Sequence, residues 1–149
     1  MAALVNYDLT FLEKSWEWLN DPEIKALTLT PDFSKEDQLQ FYRSLPQKKD
    51  YWIRGITENN IPVGAMGLKN IDIGGSSAEY WGYIGEKEFW GKGIGKFILK
   101  EAILKARELN LKKIYLKVTT KNTIAKNLYL KMGFKKQSSG EIEHYEIVL

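Results

Sequence analysis

The sequence predicts an α+β fold: a mixed, mostly antiparallel central sheet flanked by helices. Three observations carry that expectation. Two strand-like runs, Tyr51–Ile56 and Ile61–Leu68, are joined by Glu58-Asn59-Asn60, the pattern of a β-hairpin. From Ala78 onward strand and helix patterns alternate. The 149 residues show no repeat, low-complexity stretch or linker, which fits a single domain over 1–149.

The elements follow in order. Leu12, Trp16 and Leu19 recur at helical spacing and predict a helix over 12–19. Asp21-Pro22 reads as an N-cap followed by proline at the first helical position, opening a short helix to Leu27. Ser34-Lys35-Glu36-Asp37 resembles a capping box with Asp in place of Glu or Gln. It opens a helix carrying Leu39, Phe41, Tyr42 and Leu45, closed by Pro46. In the hairpin, Pro62 stands near a strand start, where a missing N–H is tolerated. Asp72–Ser77 reads as a loop and Ala78–Gly85 as an aromatic-rich strand. The strongest helix follows at 95–109, with Leu99, Ala102, Ile103, Ala106 and Leu109 on one face. Asn110 ends it. Ile114–Val118 is a strand, and Thr123–Met132 a second helix with Gly133 at its C′ position. Phe134–Lys136 and Tyr145–Val148 are the last strands.

Composition removes several function classes. The chain has 22 basic and 19 acidic side chains, interspersed, for a net charge of +3. A nucleic-acid binder would cluster its basic residues on one face, so no nucleic-acid partner is expected, whereas an anionic small ligand is compatible. There is no cysteine, hence no disulfide, thiol nucleophile or cysteine-based metal site. His144 is the lone histidine, which excludes a histidine-rich metal site; no metal is expected. Met1-Ala2-Ala3-Leu4-Val5 lacks the basic start and long apolar core of a signal peptide. No apolar run approaches the roughly 18 residues of a membrane span. A cytoplasmic protein without a membrane partner is the expectation.

The most telling stretch is Trp90-Gly91-Lys92-Gly93-Ile94-Gly95-Lys96, between an apolar strand and the strongest helix. Glycine lets backbone approach a ligand closely and adopt positive φ. A helix opening there turns its free N–H groups and positive dipole end toward the loop. This is the design of a phosphate or pyrophosphate cradle, and Lys92 and Lys96 add charge beside it.

The run from Glu79 to Lys135 resembles the core of the GNAT superfamily of N-acetyltransferases. Tyr83-Ile84-Gly85, the glycine loop, Asn122-Thr123-Ile124-Ala125 and Leu128-Tyr129-Leu130-Lys131-Met132-Gly133-Phe134 stand in its order and spacing. The loop departs from the family's Q/R-x-x-G-x-G/A pattern at one place, where Trp90 holds the Gln/Arg position. Trp-Gly-Lys-Gly resembles the ribosomal-protein and amino-sugar branch.

The resemblance implies a GNAT-like fold, acetyl-CoA as co-substrate, and transfer to a primary amine by direct attack in a ternary complex. It implies that Trp90 to Lys96 bind the pyrophosphate and that Tyr83, Ile84 and Gly85 form a splayed strand beside the pantetheine arm. Asn122 either caps its helix, reaches the CoA arm, or does both. Lys126 and Lys131 either approach the phosphates or are solvated helix charges. Tyr129 takes the place of the general acid that protonates the departing thiolate. A backbone N–H near Ile84 holds the oxyanion. Glu79 is the first candidate for the base, with His144 as its rival. Phe33, Trp81 and His144 are candidates for the acceptor site.

The N-terminal third, with Trp16–Ile24, Ser34–Gln38 and Phe41-Tyr42, is similar to acetyltransferases acting on amino groups of nucleotide-linked sugars. Ribosomal-protein N-terminal and polyamine acetyltransferases share most of these features and stay open as acceptor classes. A polyamine favours an acidic pocket; an amino-sugar nucleotide favours aromatic and basic side chains. A non-catalytic acetyl-CoA sensor is the alternative of a different class. An exposed edge strand near the C-terminus leaves room for a homodimer.

Overall fold

Asn59 and Asn60 both adopt left-handed backbone angles, φ of 51° and 67°, and turn the chain tightly between two long strands. These are β2 (Trp52–Glu58) and β3 (Ile61–Asp72) of a seven-stranded sheet. The computed structural model describes residues 1–149. β1 (Ala2–Val5) precedes three helices: α1 (Leu9–Asn20), α2 (Pro22–Leu27) and α3 (Lys35–Ser44). After the hairpin come β4 (Ser77–Ile84), α4 (Ile94–Glu108), β5 (Lys113–Thr119), α5 (Thr123–Lys131), β6 (Lys135–Ser138) and β7 (Ile142–Val148). The strand order is β1-β2-β3-β4-β5-β7-β6, and only β4 and β5 pair in parallel.

The caps are as the sequence predicts. Asp21 accepts from the N–H groups of Glu23 and Ile24 at the start of α2. Ser34 and Asp37 complete the capping box of α3, each side chain bonding the other's backbone N–H at 3.0 Å. α1 begins earlier than the hydrophobic spacing suggests, at Leu9, because Asp8 caps it through the N–H of Phe11.

The main departures from the sequence reading lie in three strands. β1 is an addition; its partners on β2 run from Ala2–Glu58 to Val5–Gly55, so no local turn announces it. β3 runs on past Leu68 because Lys69 and Asp72 pair with Glu79 and Ser77 around an irregularity at Asn70. β7 starts at Ile142, since Ile142, Glu143 and His144 pair with Thr119, Val118 and Lys117.

The core lies between α4 and one sheet face. Ile94, Ile98, Leu99, Ala102, Ile103 and Ala106 are buried there against Met66, Leu68, Ala78, Ile114 and Leu116. α1, α2 and α3 lie over the opposite face. Phe11 fills the space above Gly55, where any Cβ would come within 2.5 Å of its ring. Gln38 Nε2 donates to the Leu12 carbonyl at 2.8 Å and joins α3 to α1. On that same face Lys117, Ile142 and His144 of β5 and β7 are exposed. No helix is long and apolar enough to cross a membrane.

Candidate active site

β4 and β5 are joined by only three pairs: Ser77 with Lys113, Ala78 with Ile114, and Glu79 with Tyr115. β4 continues to Ile84 and β5 to Thr119 without pairing to each other. From Tyr80 and Leu116 onward the strands part, and backbone groups that a sheet would satisfy face a slot.

The glycine loop lies at the far end of β4. Gly91 and Gly93 have φ of 74° and 82°, and a Cβ at either would meet nothing within 4 Å. Gly93 is the N-cap of α4 and has no side chain to bond the orphan donors. The backbone N–H groups of Gly91 through Lys96 find no acceptor within the chain; the first that does is Phe97, bonded to the Gly93 carbonyl at 3.2 Å. Lys92 and Lys96 are exposed beside this row and make no ion pair. The residues fit a pyrophosphate: free aligned donors, a helix N-terminus, two lysines and open space. Trp90 is tied back to β4 by its indole N–H, which donates to the Ile84 carbonyl at 2.8 Å. Gly95 packs beside Leu128, which sets α5 against the first turn of α4.

Tyr129 sits on α5 over the parting strands. Its ring lies 6.4 Å from Tyr80 at the fork, 5.8 Å from Phe134 and 6.2 Å from Tyr145. Its hydroxyl makes no hydrogen bond within the chain and is not sealed from solvent. Burial pushes its pKa up to about 12, so it holds its proton at neutral pH.

Glu79 is buried, not a solvated strand end. It accepts from Asn70 Nδ2 at 3.2 Å and lies 3.8 Å from Lys69 Nζ. Trp81 and Tyr83 share its face of β4.

Residues 12–134 match the Acetyltransferase (GNAT) family. The chain belongs to that family. It is a GNAT N-acetyltransferase, with acetyl-CoA as co-substrate. No curated protein matches the sequence. Solved structures share the GNAT fold. One is a spermidine N-acetyltransferase from Vibrio cholerae in complex with CoA and spermine (TM-score 0.88, 22% identity, 99% of this chain and 95% of that one). Another is the Campylobacter jejuni N-acetyltransferase PseH in complex with acetyl coenzyme A (TM-score 0.76, 20% identity, 99% of each chain). A third is a domain from Methanocaldococcus jannaschii (TM-score 0.84, 22% identity, 100% of this chain and 99% of that one).

The remaining predicted residues of this GNAT chain divide between the slot and elsewhere. Asn122 caps α5, its Oδ1 accepting from Ala125 N–H at 3.3 Å. Lys131 is exposed at the end of α5 without an ion pair, whereas Lys126 is paired with Glu143 at 3.2 Å. Gly85 lies just past β4 against Trp18, and Ile94 is buried in the core. The Tyr83 side chain points away from α4: its hydroxyl donates to Ser15 Oγ at 3.0 Å. Trp81 lies between Tyr51 and Tyr83, ring centroids 6.2 and 6.4 Å away, with its indole N–H buried and unpartnered. Phe33 packs edge-on against Trp16 at 5.3 Å. His144 is exposed opposite Lys117, on the same sheet face as Glu79 but with β5 between them.

Two features escape sequence reasoning. Tyr80 is buried beside Tyr129, its hydroxyl lying over Gly82, where a Cβ would come within 2.6 Å of it. Glu143 and Tyr145 meet through a hydrogen bond of 2.7 Å on the Tyr129 side of β7. The i, i+2 spacing of these two was the available signal.

Proposed function

We propose that this N-acetyltransferase transfers the acetyl group of acetyl-CoA to a primary amine of a small molecule, an amino-sugar nucleotide, by direct attack in a ternary complex. The observation that carries the reading is the row of unpartnered N–H groups from Gly91 to Lys96 at the mouth of the slot between β4 and β5. Bound acetyl-CoA supplies a thioester already activated for attack by an amine.

The chain's own residues bind, orient and move protons. The loop N–H groups, with Lys92, Lys96 and Lys131, hold phosphate. The slot-facing edge of β4 at Tyr83 and Ile84, where the Ile84 carbonyl is already engaged by the Trp90 indole, holds the amide-bearing arm together with Asn122. The Tyr129 hydroxyl gives its proton to the departing sulfur. Glu79 takes the proton of the amine. Tyr129 lies on the α4–α5 side of the sheet, and Glu79, Trp81 and His144 on the other. Donor and acceptor thus approach the slot from opposite faces, which supports a direct transfer.

The acceptor class rests on the lining of that second face. Phe41, Tyr51, Trp81, Tyr83 and Trp18 form a continuous run of ring contacts. Asp32 with Lys25, Asp37 in its capping box, Asp72 on the Gly75 N–H and Glu143 with Lys126 are engaged within the chain, whereas Glu36 and Glu141 are exposed without an ion pair and stay open to a polyamine. Likeness to the spermidine enzyme favours a polyamine acceptor and makes it the competing reading.

Free-thiol release with acetyl-CoA across amino-sugar nucleotides, polyamines and peptides with free N-termini tests both. Turnover with amino-sugar nucleotides is expected, falling about 100-fold in Tyr129→Phe while CoA affinity holds. Turnover with polyamines or peptides alone overturns the acceptor class. Silence with acetyl-CoA binding intact by calorimetry overturns the amino-sugar acceptor and leaves either an acceptor outside the panel or a sensor.

A further inference from the structure

With no hydrogen bond to hold it, the Tyr129 hydroxyl is placed by the packing of its ring alone. Of the three rings around it, Tyr145 is itself anchored. Its hydroxyl donates to Glu143 Oε1 at 2.7 Å. The other carboxylate oxygen receives Thr120 Oγ1 at 2.8 Å and Lys126 Nζ at 3.2 Å. Lys126 Nζ also reaches the Thr120 carbonyl and hydroxyl, and Lys136 stands at 4.0 Å. The Glu143 side chain is only 5% exposed.

These partners lie on different elements around one ring. Lys126 is three residues before Tyr129 on α5, one turn away on the same side of the helix. Thr120 is in the turn that leads into α5. Tyr145 is on β7, in contact with the Tyr129 ring. A single buried carboxylate therefore fixes the entry of the helix, the turn before the tyrosine and a wall of its pocket. A network of this kind, fully satisfied, rigidifies what it joins.

We infer that Glu143 is a positioning residue that sets the Tyr129 hydroxyl through Tyr145 and Lys126. The inference rests on the reading of Tyr129 as general acid. The Tyr145 hydrogen bond, then that of Thr120, then Lys126 hold the Glu143 carboxyl below its usual range, so the clamp stays charged at working pH.

Steady-state kinetics of Glu143→Gln, Tyr145→Phe, Tyr129→Phe and the double variants test it, run well below each melting midpoint. Glu143→Gln keeps size and acceptor oxygen but loses the charge. It is expected to lower kcat between about 10- and 100-fold, the cost of a misplaced group, with KM for acetyl-CoA within about twofold. Tyr145→Phe keeps the ring, removes only the hydroxyl bond, and is expected to give a smaller loss in the same direction. Both losses should vanish in the Tyr129→Phe background, because the residue they act through is gone. Equal losses in both backgrounds, or unchanged kcat in the single variants, overturn the inference while leaving Tyr129 in place. Full turnover in Tyr129→Phe alone overturns the general-acid reading and the inference with it.

Discussion

A Cβ built on Gly85 would lie 2.1 Å from Cγ of Trp18. Trp18 of α1 is thus laid directly on the backbone at the end of β4, and its indole N–H donates to Glu86 Oε1 at 3.0 Å in the next residue. The first helix is docked against the strand that borders the slot.

Gly85→Ala is therefore expected to destabilise the fold by about 1–3 kcal/mol, the usual cost of forced overpacking. Thermal unfolding checks it; an unchanged midpoint would mean that α1 gives way freely.

Gly93 has the opposite signature. Its φ is 82° and its Cβ position is open. Gly93→Ala should cost about 1 kcal/mol in backbone strain, leaving the protein folded. CoA affinity by calorimetry should fall more than the melting midpoint suggests, because the methyl enters the space before the row of N–H groups. Normal CoA affinity would place the phosphates elsewhere.

Trp90→Phe removes the bond to the Ile84 carbonyl and keeps the ring. Losing about 1 kcal/mol of loop anchoring should raise KM for acetyl-CoA roughly fivefold with kcat nearly constant. A kcat effect larger than the KM effect would give Trp90 a role in the chemistry.

The Glu143 carboxyl is held down to about 2 in the folded chain, against 4.5 for an ordinary glutamate, first by the Tyr145 hydroxyl, then by Thr120 and Lys126. A depressed folded pKa contributes stability above the unfolded value and loses it as pH falls toward the folded one. The melting midpoint should therefore drop between about pH 4.5 and pH 2. Melts of Glu143→Gln should start lower at neutral pH and show a shallower acid slope; parallel slopes would assign acid sensitivity to other carboxylates.

The local signals were readable in the chain. Asp21-Pro22, the Ser34 capping box, Asn59-Asn60 and the spacing through Ala106 each encode their own structure within a few residues. The placing of the glycine loop at the start of α4 and of Tyr129 on α5 could be read for the same reason, since motif and element coincide. What was not legible depends on pairing between distant residues. β1 exists because Ala2–Val5 meet Gly55–Glu58. The burial of Glu79 depends on Lys69 and Asn70 across the strand. The side chain of Tyr83 turns to Ser15, whose place on α1 no local pattern relates to β4.

The three pairs at Ser77–Glu79 also have a mechanical consequence. They are the one weld between two blades, β1 to β4 on one side and β5 to β7 on the other. α4 is the clasp, packed across β3, β4 and β5. Any widening of the gap swings one blade about that weld and pulls on the clasp near its N-terminus. The end of α4 that offers its free N–H groups is thus also the end that stands at the open side of the fork.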